Sequence, residues 1–305
     1  MSATTIGFVG LGNMGRRMAG QLLAAGYDVL GHDPGAGAAE AAHVRPASSA
    51  REVSEGADHV LLSLPDSGVV ERVVLGVDGL LGATRPGQVV VDLSTAAPAS
   101  TRRLHAALAE VGVDLLDAGV SGGAAAAAKG TLTLMVGGDA EVLDRVRPTL
   151  DPLASAIFHM GGPGAGHSTK LLNNFLNAVN LAASSEVLLA ARVAGLDVAQ
   201  VLEVINASSG ANWATEHRFP SIVRGDYLEG GLSSRLMMKD VLLYVEYLAE
   251  LGAPSLHASG PVAAFGIALQ RGYGDQISNR VVDALGDLVG GVRLQDGTSG
   301  AETPS

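Results

Sequence analysis

The sequence predicts an α/β protein in two parts. A doubly wound parallel sheet comes first, and an all-helical C-terminal domain built around one long helix follows it. Three observations predict this. Short apolar runs alternate with helical stretches through the first half. A glycine-rich turn joins the first such run to the first helical stretch. After the cluster Gly161-Gly162-Pro163-Gly164-Ala165-Gly166 only helical spacing remains.

The elements follow in order. Ile6–Val9, Asp28–His32, His59–Leu64, Val89–Leu93 and Val113–Leu116 are short and apolar enough to be strands. Near-continuous apolar strands fit a sheet covered on both faces. Between them, Asn13–Ala25, Ser49–Glu55, Gly68–Leu75 and Pro98–Val111 have helical length and spacing. Leu132–Val136, Asp139–Leu150 and Ala156–His159 add a further strand, helix and strand. His167–Ala194 then reads as one long helix, followed by Asp197–Ser208, Ser234–Leu251, Ser259–Gln270 and Gln276–Val289. The expected division is a sheet domain over 1–163 and a helical domain over 164–290. A polar, disordered tail is expected over 291–305.

Composition narrows the function. Apolar residues make up 47% of the 305 residues and charged residues 17%, so a sizeable core can form. Lys and Arg number 20 against 31 Asp and Glu, a formal charge of −11. Such a chain is a poor partner for nucleic acid, which needs clustered cations. There is no cysteine, which excludes disulfides, thiolate metal sites and cysteine nucleophiles. The histidines form no metal-binding spacing, so no metal is expected. No run approaches the roughly 20 apolar residues of a membrane span, and the N-terminus does not read as a signal peptide. The expectation is a soluble, cytoplasmic protein.

Gly10-Leu11-Gly12-Asn13-Met14-Gly15 matches G-x-G-x-x-G between a strand and a helix, the Rossmann-type context. Gly10 allows the tight turn, Gly12 lets a pyrophosphate approach, and Gly15 permits close helix–strand packing. The helix start offers N–H groups and partial positive charge to phosphates. Asp33 ends the second predicted strand, where an acidic residue can bind the adenosine ribose 2′-OH and repel a 2′-phosphate. The predicted cofactor is therefore NAD rather than NADP. A turn-forming Asp before Pro34 is the plainer alternative.

Lys170 and Asn174 are four apart near the start of the long helix, so they share one face. The positive end of a helix and partial burial both disfavour a protonated lysine. Such a lysine can exchange a proton with a substrate oxygen near neutral pH. A solvated surface lysine is the alternative reading of spacing alone.

Four stretches, in order along most of the chain, resemble the β-hydroxyacid dehydrogenases, and most nearly the 3-hydroxyisobutyrate dehydrogenases. Gly10–Gly15 looks like their GLGxMG. Asp117-Ala118-Gly119-Val120-Ser121-Gly122-Gly123 looks like their DAPVSGG. Gly164–Asn174 looks like GxGxxxKxxxN, and Lys239-Asp240 looks like their C-terminal KD pair. The resemblance implies a C-terminal domain like that of 6-phosphogluconate dehydrogenase. It also implies Lys170 as general acid/base, Asn174 holding the substrate oxygen, and Ser121, Gly122 and Gly123 binding a small carboxylate substrate. Lys239 would approach substrate and nicotinamide from the C-terminal domain, supported by Asp240. Leu64-Pro65 and Ser94-Thr95 match the family's cofactor contacts.

Two positions stay open at this level. Gly119 stands where the family motif usually has proline, which frees the loop and reshapes the carboxylate pocket. Trp213, in a stretch similar to the family's NxSSGxxW, either walls the substrate pocket or packs structurally. The expected reaction is NAD-dependent oxidation of a β-hydroxy acid. A semialdehyde or imine reductase using NADPH is the alternative, and a dinucleotide sensor without turnover is a third reading. Imine reductases usually lack the motif lysine that this chain keeps. The small residues along the long helix suggest a homodimer or homotetramer.

Overall fold

The computed structural model describes residues 5–295. By its internal contacts the chain divides into Met1–Leu171 and Leu172–Ser305. The first unit begins with β1 (Thr5–Val9), α1 (Gly15–Ala24), β2 (Asp28–His32), α2 (Ala38–Ala41), β3 (Arg45–Pro46) and α3 (Ala50–Gly56). It continues with β4 (His59–Leu62), α4 (Ser67–Leu75), β5 (Val89–Asp92), α5 (Pro98–Ala109), β6 (Asp114–Ser121) and α6 (Gly123–Ala127). Then come β7 (Leu132–Gly137), α7 (Ala140–Leu150), β8 (Ala154–Gly161) and the start of α8 (Ala165–Val193).

The eight strands form one sheet in the order β3-β2-β1-β4-β5-β6-β7-β8. The chain leaves β1 in one direction to build β2 and β3, then returns to build β4 on the other side. Ligands bind open α/β sheets at such a reversal, beyond the carboxyl ends of the strands. Both faces are buried. Ile6 and Phe8 of β1 pack with Met18 and Leu22 of α1, together with Leu61, Val89 and Val91. On the other face Val60, Leu62 and Val90 pack with Val53, Val70 and Val74. The alternation of neighbouring residues between the two cores is the period-2 geometry of a strand.

Two sequence expectations need correction here. The sheet is not wholly parallel, because β7 runs antiparallel to β6. A parallel return needs a crossover of about a dozen residues or more, and the link between these strands is shorter. The strand expected over Val113–Leu116 also runs on to Ser121, so Gly119 lies within β6, paired with Met135, rather than in a freed loop.

α8 carries on into the second unit, followed by α9 (Val198–Asn206), α10 (Trp213–His217), α11 (Phe219–Ile222), α12 (Ser234–Glu250), α13 (Ser259–Gln270) and α14 (Val281–Gly286). Leu181 and Leu188 of α8 share its core with Leu202, Phe219, Met237, Val241, Phe265 and Val281. The tail expected to be disordered over 291–305 is anchored at its start. Leu294 is buried, and the Arg192 guanidinium donates to the carbonyls of Arg293, Leu294 and Gln295. An apolar side chain and three accepting carbonyls hold that segment. Residues 296–305 lie outside the described residues. Among the described residues no helix is long and apolar enough to cross a membrane.

Candidate active site

The glycine loop follows β1 at the point where the sheet order reverses. Gly10 has φ +94°, and a Cβ there would stand 2.2 Å from the Ser63 carbonyl oxygen. A Cβ on Gly15 would stand 1.8 Å from the Gly10 carbonyl oxygen and 3.1 Å from the Phe8 ring. Those two glycines let the loop fold tightly onto β1. Gly12 differs: nothing lies within 4 Å of its Cβ position. Its backbone is open on the side where a side chain would be. No side chain caps the start of α1, which has no acidic residue in its first turn. By contrast Ser49 caps α3, Asp66 caps α4 and Asp139 caps α7. An uncapped helix start beside an open glycine suits a diphosphate.

Asp33 sits beside this loop. Its carboxylate accepts the Leu11 N–H at 2.7 Å and the Gly35 N–H at 2.8 Å. It therefore orders both the glycine loop and its own turn. Each carboxylate oxygen has a further lone pair for a ribose hydroxyl. On the other side of the loop, the Leu64 N–H donates to Ser94 Oγ at 2.9 Å, tying the turns after β4 and β5. The Ser94 N–H in turn donates to Asp92 Oδ1 at 3.0 Å. Gly10–Gly15, Asp33, Leu64-Pro65 and Ser94-Thr95 thus follow the carboxyl ends of β1, β2, β4 and β5. The donor set and the open Gly12 fit a dinucleotide.

Lys170 is in the first unit, 8% exposed. Its position is set by β6: a Cβ on Gly119 would lie 2.5 Å from Lys170 Cβ and 3.1 Å from Cγ. The lysine stem occupies the space that a side chain at 119 would take. Ser121 closes the same strand, and Gly122 and Gly123 start α6 with φ of +121° and +67°. The Asp117 carboxylate meets α8 before the lysine does. It accepts the Gly164 N–H at 2.8 Å and the His167 N–H at 2.7 Å. The His167 ring is fully buried, with Nδ1 2.8 Å from Thr101 Oγ1 and Nε2 3.3 Å from the Asp92 carbonyl.

Asn174 belongs to the second unit, one turn beyond Lys170 along α8. It is 4% exposed, and its Nδ2 donates to Asp240 Oδ2 at 2.5 Å. A carboxylate only accepts, so this bond fixes which way the amide faces. The Lys239 ammonium is 3.1 Å from Asp240 Oδ1. Asp240, 2% exposed, therefore holds Asn174 with one oxygen and Lys239 with the other. Trp213 starts α10 and is 54% exposed, stacked on His217 with ring centroids 5.0 Å apart. The Arg218 guanidinium lies 5.2 Å from the indole centre. Burial pulls the Arg218 pKa down to about 10, so it is still a cation at neutral pH.

The Asn174–Asp240 bond and the Asp117 cap are absent from the sequence reading. Both join residues about fifty or more apart, and no local spacing signals them.

Comparison with known proteins completes the picture. Residues 5–162 match the family described as the NAD binding domain of 6-phosphogluconate dehydrogenase. Residues 164–285 match the family described as NAD-binding of NADP-dependent 3-hydroxyisobutyrate dehydrogenase. The NAD-dependent L-serine dehydrogenase of Pseudomonas aeruginosa is 40% identical over 281 residues, covering 89% of this chain and 94% of that protein. The 3-hydroxyisobutyrate dehydrogenase of the same organism is 40% identical, covering 86% and 89%. Among solved structures, the 3-hydroxyisobutyrate dehydrogenase of Mycobacterium tuberculosis with L-serine superposes with a TM-score of 0.82 at 34% identity, covering 93% of this chain and 99% of that one. Imine reductase structures, such as that from a Pseudomonas species at 20% identity and a TM-score of 0.61, share the fold. On these matches the chain belongs to the β-hydroxyacid dehydrogenase family, NAD(P)-dependent oxidoreductases of the CH–OH group.

Proposed function

We propose that the chain oxidises a small β-hydroxy carboxylic acid, of the size of 3-hydroxyisobutyrate or serine, with Lys170 as general acid/base. The observation that carries this is the buried Lys170, seated on the strand that ends in Ser121. Its relatives named for 3-hydroxyisobutyrate and L-serine support the substrate class. Gly10–Gly15, with Leu11, Asn13 and Met14, Asp33, Leu64-Pro65 and Ser94-Thr95 would hold NAD, which when bound supplies the hydride acceptor. Ser121 and the N–H groups of Gly122 and Gly123 take the substrate carboxylate. Both glycines have positive φ, so no side chain stands beside these N–H groups at the start of α6. Lys170 takes the hydroxyl proton during oxidation and returns it during reduction. Asn174, next along α8 with its amide set by Asp240, is the proposed second holder of that oxygen. By the family likeness, Lys239 and Trp213 are proposed as further substrate contacts.

An initial-rate screen tests the proposal. NAD or NADP is offered with 3-hydroxyisobutyrate, serine, glycerate, threonate and 4-hydroxybutyrate. NAD-dependent turnover of a β-hydroxy acid is expected. Silence across the panel in a folded protein that binds NADH would overturn it.

Asp33 carries the cofactor choice. Asp33→Ser removes a charged acceptor, an interaction of about 1.5–3 kcal/mol. The KM for NAD should rise at least about tenfold and the preference over NADP should shrink. An unchanged ratio of kcat/KM for the two cofactors would remove Asp33 from that role.

The partner we propose is a second copy of the chain. In the second unit a mainly apolar groove of about 620 Å³ runs along α8, lined among others by Ala182, Ala183, Ala190, Val193, Leu288 and Val289, with Glu186 and His257 as polar members. Val193, Leu288 and Val289 are each about half exposed or more. An apolar groove of this kind on a soluble chain marks an association surface. Two-fold pairing of like surfaces is the commonest way to cover it. Light scattering after gel filtration should give at least twice the chain mass, and a monomer would refute this. A cytoplasmic location, where NAD is supplied, completes the proposal. Cell fractionation tests it.

A further inference from the structure

The structure assigns Asp117 and Gly119 as the positioning residues for Lys170, an inference that rests on Lys170 being the acid/base. Asp117, Gly119 and Ser121 are alternate residues of β6 and share one face. The first grips the start of α8, the second seats the lysine stem, and the third is the proposed carboxylate ligand.

The grip is specific. The first N–H groups of a helix have no intrahelical partner. A side chain at the N-cap position usually satisfies one of them. Here Gly164 immediately precedes α8 and has no side chain to offer. Asp117 replaces it from another strand, accepting the Gly164 and His167 N–H groups with its two oxygens. Asp117 is 1% exposed, so the cap is shielded from solvent.

Three glycines let the helix start come this close. A Cβ on Gly166 would lie 2.3 Å from the Met135 carbonyl oxygen and 2.5 Å from that of Asp117. A Cβ on Gly137 would lie 2.5 Å from Asp117 Oδ1 and 2.8 Å from the Ala165 nitrogen. A Cβ on Gly119 would lie 2.5 Å from Lys170 Cβ and 3.2 Å from the Gly166 carbonyl oxygen. Lys170 is three residues past His167, less than one helical turn from the grip. One strand therefore sets both the amine and the group that fixes the carboxylate. Proton transfer needs those two held to within about an ångström, and a misplacement of that size can cost about 10²-fold.

The test uses the full chain with NAD and the best substrate of the screen, comparing wild type, Lys170→Ala, Gly119→Ala, Asp117→Asn and Asp117→Ala. Each variant is read for kcat, KM, NADH affinity, melting temperature and the pH profile of kcat. Gly119→Ala should lower kcat by about 10- to 100-fold, displace the pH profile, and leave NADH affinity within about twofold. Asp117→Asn keeps one accepting oxygen and should lose less activity than Asp117→Ala, with the same displacement. Wild-type kcat and pH profile in Gly119→Ala would overturn the assignment. Should the Asp117 variants fail to fold, Gly119→Ala decides alone. If Lys170→Ala turns over normally, the acid/base reading itself has failed. If Lys170→Ala is inactive while Gly119→Ala behaves as wild type, only the positioning role falls.

Discussion

Lys170→Ala should reduce turnover by about 10²- to 10⁴-fold, the usual range for a positioned acid/base, while NADH binds within about twofold of wild type. The separation follows from the structure. Lys170 is held on β6 through Gly119. The glycine loop and Asp33 follow β1 and β2, which lie on the far side of β4 and β5 in the sheet. Removing the side chain beyond Cβ leaves both N–H bonds of the Asp117 cap in place. Lys170→Arg should be about as inactive. A guanidinium stays protonated and cannot accept the hydroxyl proton. Stopped-flow reduction of NAD and a fluorescence titration with NADH measure the two quantities separately. Retained turnover in either variant would mean that another group accepts the proton.

Much of the fold was legible because period and punctuation agreed. Asp28–His32 and Ser259–Gln270 are bounded by glycine and by a change of polarity, and the structure has the same limits. The long helix starts two residues before the expected His167, since Ala165 and Gly166 belong to its first turn. The two-residue β3 and the short α2, α6, α10 and α11 escaped, being too short to show a period. The C-terminal stretch expected as one helix over Gln276–Val289 is helical in α14 only over Val281–Gly286, between two tighter turns. Asn279 is buried there with its Nδ2 donating to the Tyr227 carbonyl, so tertiary bonding overrode the local pattern.

The candidate site offers sequence signals where its chemistry repeats locally and none where it is assembled at a distance. G-x-G-x-x-G and the four-residue spacing of Lys170 and Asn174 are local signals. β6 shows the opposite case. Asp117 and Gly119 look like loop formers, so the strand seemed to stop at Leu116. In the fold Asp117 is a buried cap and Gly119 a space for the lysine stem. The cap and the close approach to Lys170 thus put the composition of a turn into the middle of a strand. Asp240 is similar: beside Lys239 it resembles a surface ion pair, yet it is buried against Asn174.

Gly12→Val and Gly15→Ala should both abolish useful NAD binding, but for opposite reasons that thermal melting will separate. At Gly12 the added side chain meets nothing within 4 Å in the free protein. The fold should keep its melting temperature to within about 2 °C, since exposed substitutions seldom exceed about 0.5 kcal/mol. The isopropyl group then stands where the pyrophosphate must approach. NADH affinity should fall by at least about 100-fold, the equivalent of about 2.7 kcal/mol. At Gly15 the added Cβ would stand 1.8 Å from the Gly10 carbonyl oxygen, and the glycine is buried. Backbone cannot yield as a flexible side chain does, so α1 or the loop must move. Overpacking of this kind costs about 1–3 kcal/mol, which lowers the melting temperature by about 2–12 °C. The displaced loop also loses the Leu11 N–H bond to Asp33. NADH affinity therefore falls together with stability in Gly15→Ala and independently of it in Gly12→Val. Equal melting losses in both variants would show that Gly12 serves packing in this chain. Undiminished NADH binding in Gly12→Val would place the diphosphate away from the start of α1.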